Sequence, residues 1–315
     1  MPQHIRTIVV GVASAAEPDL VLEAAVDLAE RLGATLHVAN VFELPDRIVT
    51  AYAAYAQYVD PRLNQRYADE VREHLLEQVK PYRERVKLHC HALEGSASDR
   101  LCALATALDA DLMILGATRR GRLTRYVLGT TAERILRASP VPVLVLGERL
   151  APQLQRVLMT TDLSPQSSAV YRSALDVLHA LLGEGPVELR SLLVIRYDTA
   201  LPPPLRRELL QEAAEGELAR FLEGHQSDSF TLEPRVRTGD PVREIIAEAA
   251  EWPADLVVLG TRGQLGAIPF ALGSTAAAML RAAPCNALVI PAPGAEEEGA
   301  TGPEERQEVS TERES

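Results

Sequence analysis

Aromatic residues make up 4% of this 315-residue chain, with a single tryptophan, so a core must be built from alanine, valine, leucine and isoleucine. Cysteine is equally scarce. Cys90, Cys102 and Cys285 supply neither a disulfide framework nor a paired metal motif, which predicts a reducing, cytoplasmic setting. Long apolar runs are missing as well. A membrane helix needs about 18 consecutive apolar residues, and the strongest runs here, such as residues 141–146, have the length of buried strands. The short apolar stretch 7–14 is followed by Glu17 and Asp19, which predicts no secretory signal.

A basic excess is also absent. The formal net charge is −12, which disfavours nucleic acid and anionic membranes as partners. The acidity is uneven: residues 292–315 carry 2 Lys+Arg against 8 Asp+Glu, with one valine and no larger aliphatic side chain. That segment is expected to be a disordered acidic tail. The remaining length predicts two domains, 1–150 and 151–291.

The two domains repeat one another. Ala110-Asp111-Leu112-Met113-Ile114-Leu115-Gly116 matches Ala254-Asp255-Leu256-Val257-Val258-Leu259-Gly260 at a shift of 144 residues. At the same shift, Leu128-Gly129-Thr130-Thr131-Ala132 matches Leu272-Gly273-Ser274-Thr275-Ala276, and Leu136-Arg137-Ala138 with Pro140 matches Leu280-Arg281-Ala282 with Pro284. Near the start of each half the shift becomes 149, with Ile8-Val9-Val10 over Val157-Leu158-Met159. A duplicated domain with small loop differences accounts for this pattern.

Each half alternates aliphatic runs with helical periodicity. In the second half, strands are predicted over 156–160, 189–195, 231–237, 256–259 and 287–290. Ser164-Pro165 opens the first helix as N-cap and N1, and charged or amphipathic helices follow over 206–223 and 242–250. Continuous aliphatic strands separated by helices indicate a parallel sheet covered on both faces. The fold class is therefore α/β, with two tandem doubly wound five-stranded domains whose ligands sit at the carboxyl ends of the strands. The runs at 141–146 and 287–290 could pair within one chain, giving an internal pseudo-dimer; a homodimer is left open.

The fourth strand of the second half runs into Gly260-Thr261-Arg262-Gly263, then nine residues, then Gly273-Ser274-Thr275. Glycine lets backbone approach a ligand closely. Gly273-Ser274-Thr275 opens a helix whose first N–H groups and two hydroxyls form a phosphate seat, and Arg262 could add a charged contact. The plainer alternative is that these glycines only allow tight turns.

The spacing Gly-x2-Gly-x9-Gly-Ser, after an Ala-Asp-Leu strand, resembles the ATP-binding members of the universal stress protein family, and does so over nearly the whole chain twice. The resemblance implies the adenine nucleotide alpha hydrolase-like fold in tandem, with ATP as ligand, with or without Mg²⁺ or Mn²⁺. It implies that Asp162, preceded by Thr161, contacts the nucleoside, that the Val194 backbone meets the adenine, and that Gly260, Arg262, Gly263, Gly273, Ser274 and Thr275 take the ribose and phosphates. In the first half Ala13 stands where Asp162 stands, and Arg119 where Gly263 stands, while Gly129-Thr130-Thr131 is intact. ATP is expected to favour the second half.

Other residues attract attention with plainer explanations. His89-Cys90-His91 on a strand would place the two histidines on one face and the cysteine on the other, with no further ligand close in sequence, which reads as an edge strand. Tyr52, Tyr55 and Tyr58 line one side of a helical insert, and Arg119, Arg120, Arg122 and Arg125 cluster in the first glycine loop. Cys102 reads as core. No Walker lysine follows either loop. The leading functional expectation is a nucleotide-dependent sensor or adaptor in the stress response, with an adenine nucleotide and an unidentified protein as partners. A weak ATPase or a protein autophosphorylating at a hydroxyl such as Ser274 is the enzymatic alternative, and a nucleotide-free interaction module is the third.

Overall fold

The computed structural model of the chain describes residues 4–13, 20–43, 63–119, 126–127, 129–147, 149–151, 153–182, 186–196, 205–225, 230–261 and 273–292. The expected acidic tail beyond Ala292, the tyrosines 52, 55 and 58, Arg120, Arg122, Arg125, Arg262 and Gly263 lie outside these residues.

The first half runs β1 (Thr7–Gly11), α1 (Leu20–Leu32), β2 (Thr35–Phe42), α2 (Leu63–Val79), β3 (Leu88–Glu94), α3 (Ala97–Ala107) and β4 (Leu112–Gly116). A small hairpin, β5 (Thr118–Arg119) with β6 (Tyr126–Val127), precedes α4 (Thr130–Ala138) and β7 (Val143–Leu146). The second half runs β8 (Arg156–Thr161), α5 (Pro165–Leu182), β9 (Glu188–Ile195), α6 (Leu205–Glu223), β10 (Leu232–Thr238), α7 (Pro241–Glu251), β11 (Leu256–Gly260), α8 (Ser274–Ala282) and β12 (Asn286–Ile290).

Within each half the strands are parallel, in the order third, second, first, fourth, fifth. The two five-stranded sheets do not stand apart. β7 and β12 pair antiparallel, Leu144 opposite Leu288, and join them into one ten-stranded sheet. The side chain of Asn286 continues that seam by accepting from Gly147 N–H at 3.0 Å.

Both faces of the sheet are covered, as the unbroken aliphatic strands require. α1, α2, α5 and α6 pack Leu28, Leu75, Leu178 and Leu218 on one face, with Ile8, Leu36 and Val157 beneath. α3, α4, α7 and α8 pack Leu101, Ile135, Ile245 and Met279 on the other, over Val9, Met113 and Val257. Each apolar core continues across the seam between the halves. Fully burying such a side chain is worth about 1.5–3 kcal/mol, so the seam is stabilised mainly by its aliphatic faces.

The repeated Ala-Asp-Leu motif has a structural task. Asp111 Oδ2 accepts from the N–H groups of Arg6 and Thr7 at 2.7 and 2.9 Å, and Asp255 Oδ2 accepts from Gln155 and Arg156 at the same distances. Each aspartate fastens the entry of its half's first strand to the fourth.

Candidate functional site

At the carboxyl edge of the second half, β8 separates β9 on one side from β11 on the other, so the strand order reverses here and leaves a crevice. The loop leaving β8 is braced from within. Thr161 is buried, its hydroxyl 2.8 Å from Ser167 Oγ, and it accepts from Leu163 N–H at 3.1 Å. Asp162 Oδ1 accepts from both the N–H and the hydroxyl of Ser164, at 3.0 and 2.7 Å. Ser164 Oγ in turn accepts from Ser167 N–H at 3.0 Å, the N-cap that the sequence predicts for α5.

Leu163, between these residues, has a φ of 60°. A left-handed conformation costs a non-glycine residue about 1–2 kcal/mol, and here the hydrogen bonds on either side hold it. The bend turns the chain sharply at the strand end and keeps Asp162 at the crevice.

Val194 is half-buried near the end of β9. β8 pairs with β9 up to Thr161 opposite Leu193, so Val194 lies one residue past the last paired step on that side. Its main chain lies at the same carboxyl edge of the sheet as Asp162.

On the other side, Gly260 ends β11 opposite Ile290. Thr261, which follows it, is buried and ties three segments together. Its N–H donates to Ile290 O at 3.0 Å, its hydroxyl accepts from Ala292 N–H at 3.0 Å, and its carbonyl accepts from Gly273 N–H at 2.8 Å. Gly273 thus sits at the start of α8, where an added Cβ would lie 3.3 Å from the Thr261 oxygen. Among the described residues no side chain caps α8, whereas α5 and α7 are capped by Ser164 and by Asp240, which accepts from Arg243 N–H at 3.1 Å. Ser274 is exposed and Thr275 half-buried at this uncapped end. The fold thus brings Thr161, Asp162, Val194, Gly260, Gly273, Ser274 and Thr275 to one edge of one half-sheet.

The universal stress protein family model matches residues 4–147 and again 153–291. The chain belongs to the universal stress protein family. A universal stress protein of Mycobacterium tuberculosis is 29% identical over 214 residues, covering 64% of this chain and 71% of the relative. A putative universal stress protein of Staphylococcus saprophyticus is 30% identical over 173 residues, covering 52% of this chain and 97% of its own. Among solved structures, a putative universal stress protein from Pseudomonas aeruginosa superimposes with a TM-score of 0.63 at 17% identity, covering 91% of this chain and 94% of that one. One from Archaeoglobus fulgidus gives 0.61 at 18%, covering 91% and 96%. At these identities the structural likeness establishes the shared fold.

The two universal stress protein halves differ at this edge. In the first half Val12 N–H donates to Ala39 O, and Ala13 follows without a polar side chain. Ala117 stands where Thr261 stands; its N–H donates to Leu146 O at 2.8 Å, but it has no hydroxyl to hold the segment after β7. Among the described residues an added Cβ on Gly129 would meet nothing within 4 Å, so the close approach seen at Gly273 has no counterpart there. Asn40 takes the place of Leu193: its side-chain N–H donates to Val12 O at 3.0 Å while its buried Oδ1 has no partner among the described residues.

Thr261, Leu163 and Asn40 are the residues that sequence reasoning missed. The exchange of Thr261 for Ala117 inside otherwise matched loops was the available signal for the first. Nothing in the sequence marks Leu163 as left-handed.

Proposed function

We propose that the second half of this universal stress protein binds an adenine nucleotide, ATP, in the crevice between β8 and the start of α8. The observation that carries the proposal is the joint placement of a carboxylate, Asp162, the end of β9 at Val194 where it runs past its pairing with β8, and a helix N-terminus at Gly273–Thr275 with no side-chain cap among the described residues, around one strand-order reversal. The carboxylate and the Val194 main chain suit the hydroxyl and amine groups of a nucleoside. The free first turn of α8, with Ser274 and Thr275, suits phosphate oxygens. Gly260, Arg262 and Gly263 complete the ribose and phosphate contacts in this reading, with Thr161 holding the Asp162 loop.

The residues fit the ligand on an independent ground. At Gly273 a side chain would press on the Thr261 carbonyl, so the backbone at the proposed phosphate seat stays open because glycine occupies that position. A Mg²⁺ or Mn²⁺ ion, when bound with ATP, would neutralise phosphate charge; Ser274, Thr275 and Asp162 are the oxygen donors on this edge that could face it. Asp162 Oδ1 already braces Ser164, so the carboxylate serves positioning here and is not assigned the role of a catalytic base.

In this reading the bound nucleotide changes a surface read by a protein partner in the cytoplasm. The chain acts as a nucleotide-dependent sensor or adaptor. The decisive experiment is to denature freshly purified protein and assay released nucleotide by mass spectrometry, alongside calorimetric titration with ATP. Saturable ATP binding supports the proposal. Failure of the folded chain to bind any adenine nucleotide overturns it in favour of a nucleotide-free interaction module, and sustained ADP production would add the enzymatic role.

A further inference from the structure

At the outer end of the first half, the pairing of β2 with β3 sets His37 opposite His89 and Ala39 opposite His91. All three imidazoles lie on the sheet face covered by α3. His37 therefore supplies the further histidine that the sequence does not place near His89 and His91. Its ring stacks on both, with centroids 4.9 and 5.2 Å apart, and His37 Nδ1 lies 2.9 Å from His91 Nε2. Cys90 points to the opposite face and packs against that core.

The fold does not require imidazoles here. In the second half, Arg190, Glu233 and Arg235 stand at the positions of His37, His89 and His91. There the surface is closed by ion pairs, Arg190 to Glu233 at 3.0 Å and Arg190 to the buried Glu248 at 2.7 Å. In the first half Leu104 takes the place of Glu248, and the three side chains left facing one another are nitrogen donors.

We infer that His37 and His91 form a two-nitrogen clamp for a borderline divalent cation of the Zn²⁺ class, with His89 beside it. Two ligand nitrogens at about 2.0–2.1 Å from a tetrahedral Zn²⁺ stand roughly 3.3 Å apart, so the observed pair needs to open by only a few tenths of an ångström. Imidazole suits Zn²⁺, Ni²⁺ and Cu²⁺ and is a poor ligand for Mg²⁺ or Ca²⁺. Imidazole ligates a metal in its neutral form, which mildly alkaline pH favours.

As placed, His89 stacks on His37 rather than converging with the pair. Among the described residues, no three His, Cys, Asp or Glu side chains surround a common metal position. The clamp therefore has two protein nitrogens with water completing the shell, and His89 stands exposed beside it. This site is independent of the nucleotide proposal.

The test is a titration of the metal-stripped full chain with Zn²⁺, without nucleotide, at mildly alkaline pH. Heat is followed by calorimetry, and the ring nitrogens of ¹⁵N-labelled histidine by NMR. The expected result is saturable uptake of one Zn²⁺ per chain with the rings of His37 and His91 shifting. His37→Gln and His91→Gln should each weaken binding about tenfold or more, a ligand loss costing at least what a supporting residue does. His74→Gln, a change at an exposed residue of α2, should leave binding unchanged. If either clamp variant fails to fold, the ring shifts of the parent chain decide. Absence of saturable Zn²⁺ binding, shifts confined to other histidines, or undiminished binding in both folded variants would overturn the inference and leave the pair as a simple strand-to-strand hydrogen bond.

Discussion

The N–H of Gly273 donates to the Thr261 carbonyl at 2.8 Å and closes the glycine loop at its base. The backbone at Gly273, with φ −54° and ψ 140°, is one that any residue adopts, so its substitution adds no conformational strain. The cost of Gly273→Val falls on the 3.3 Å approach to the Thr261 oxygen. We expect the thermal midpoint to move by only a few degrees, in line with a ΔΔG of about 1 kcal/mol. ATP affinity should fall by at least about tenfold, read by calorimetry, because the start of α8 must shift away from the phosphate seat.

Asp162 has two tasks that can be separated. Its Oδ1 braces Ser164, and in the proposed function its charge faces the nucleoside. Asp162→Asn keeps an acceptor oxygen and removes the charge; Asp162→Ala removes both. The asparagine variant should keep the parent thermal midpoint and bind ATP more weakly. A hydrogen bond to a charged group is worth about 1.5–3 kcal/mol, or roughly 10- to 150-fold in affinity. The alanine variant should lose stability as well. Equal midpoints for the two variants would show that the brace matters little.

Glu248 is the buried centre of an ion-pair network, 2.7 Å from Arg190 and paired also with Arg237. Burial alone would raise its pKa, but hydrogen bonds from Arg237 and Arg190 outweigh that and hold it below the usual carboxylate range. Glu248→Ala leaves partly buried guanidinium groups short of a partner, and breaking a fully buried pair costs about 3–5 kcal/mol. Glu233, Glu244 and Glu251 still pair with those arginines, so the low end applies. Urea unfolding should show a lower midpoint at an unchanged slope.

The imidazole trio makes the first half acid-sensitive. The folded pKa of His37, about 4, lies below its ordinary value of 6.5, so the unfolded chain binds more protons between these limits. The contribution to stability is complete above about pH 6.5 and is lost as pH falls towards 4. Amide exchange in β3 should accelerate over that window, relative to the global opening rate. His37→Gln should flatten the profile; an unaltered profile would argue against the trio as its source.

The tandem α/β fold was legible because the second half repeats the motifs of the first and its strands are unbroken aliphatic runs. Strand ends fell within one or two residues of those observed, as at Thr161 and Gly260. What was not legible depends on through-space neighbours. His37 is 52 residues from His89 by numbering and meets it only because β2 and β3 pair. The tie from Thr261 to Ala292, the unpartnered Asn40 oxygen and the left-handed Leu163 all follow from where segments cross, which local pattern does not encode. The aspartates 111 and 255 were seen as a repeat signature, and their task of fastening strand entries became visible only with the sheet.

In the proposed function, nucleotide binding is confined to the second half. Calorimetric titration of the full chain with ATP, run in parallel on the parent, Asp162→Asn, Gly273→Val and Ala13→Val proteins, tests it most directly. The expected result is one ATP per parent chain, severe weakening in the two second-half variants, and parent-like binding in Ala13→Val. Two ATP per chain, or binding that survives both second-half changes and is lost with Ala13→Val, would contradict it and move the nucleotide to the first half.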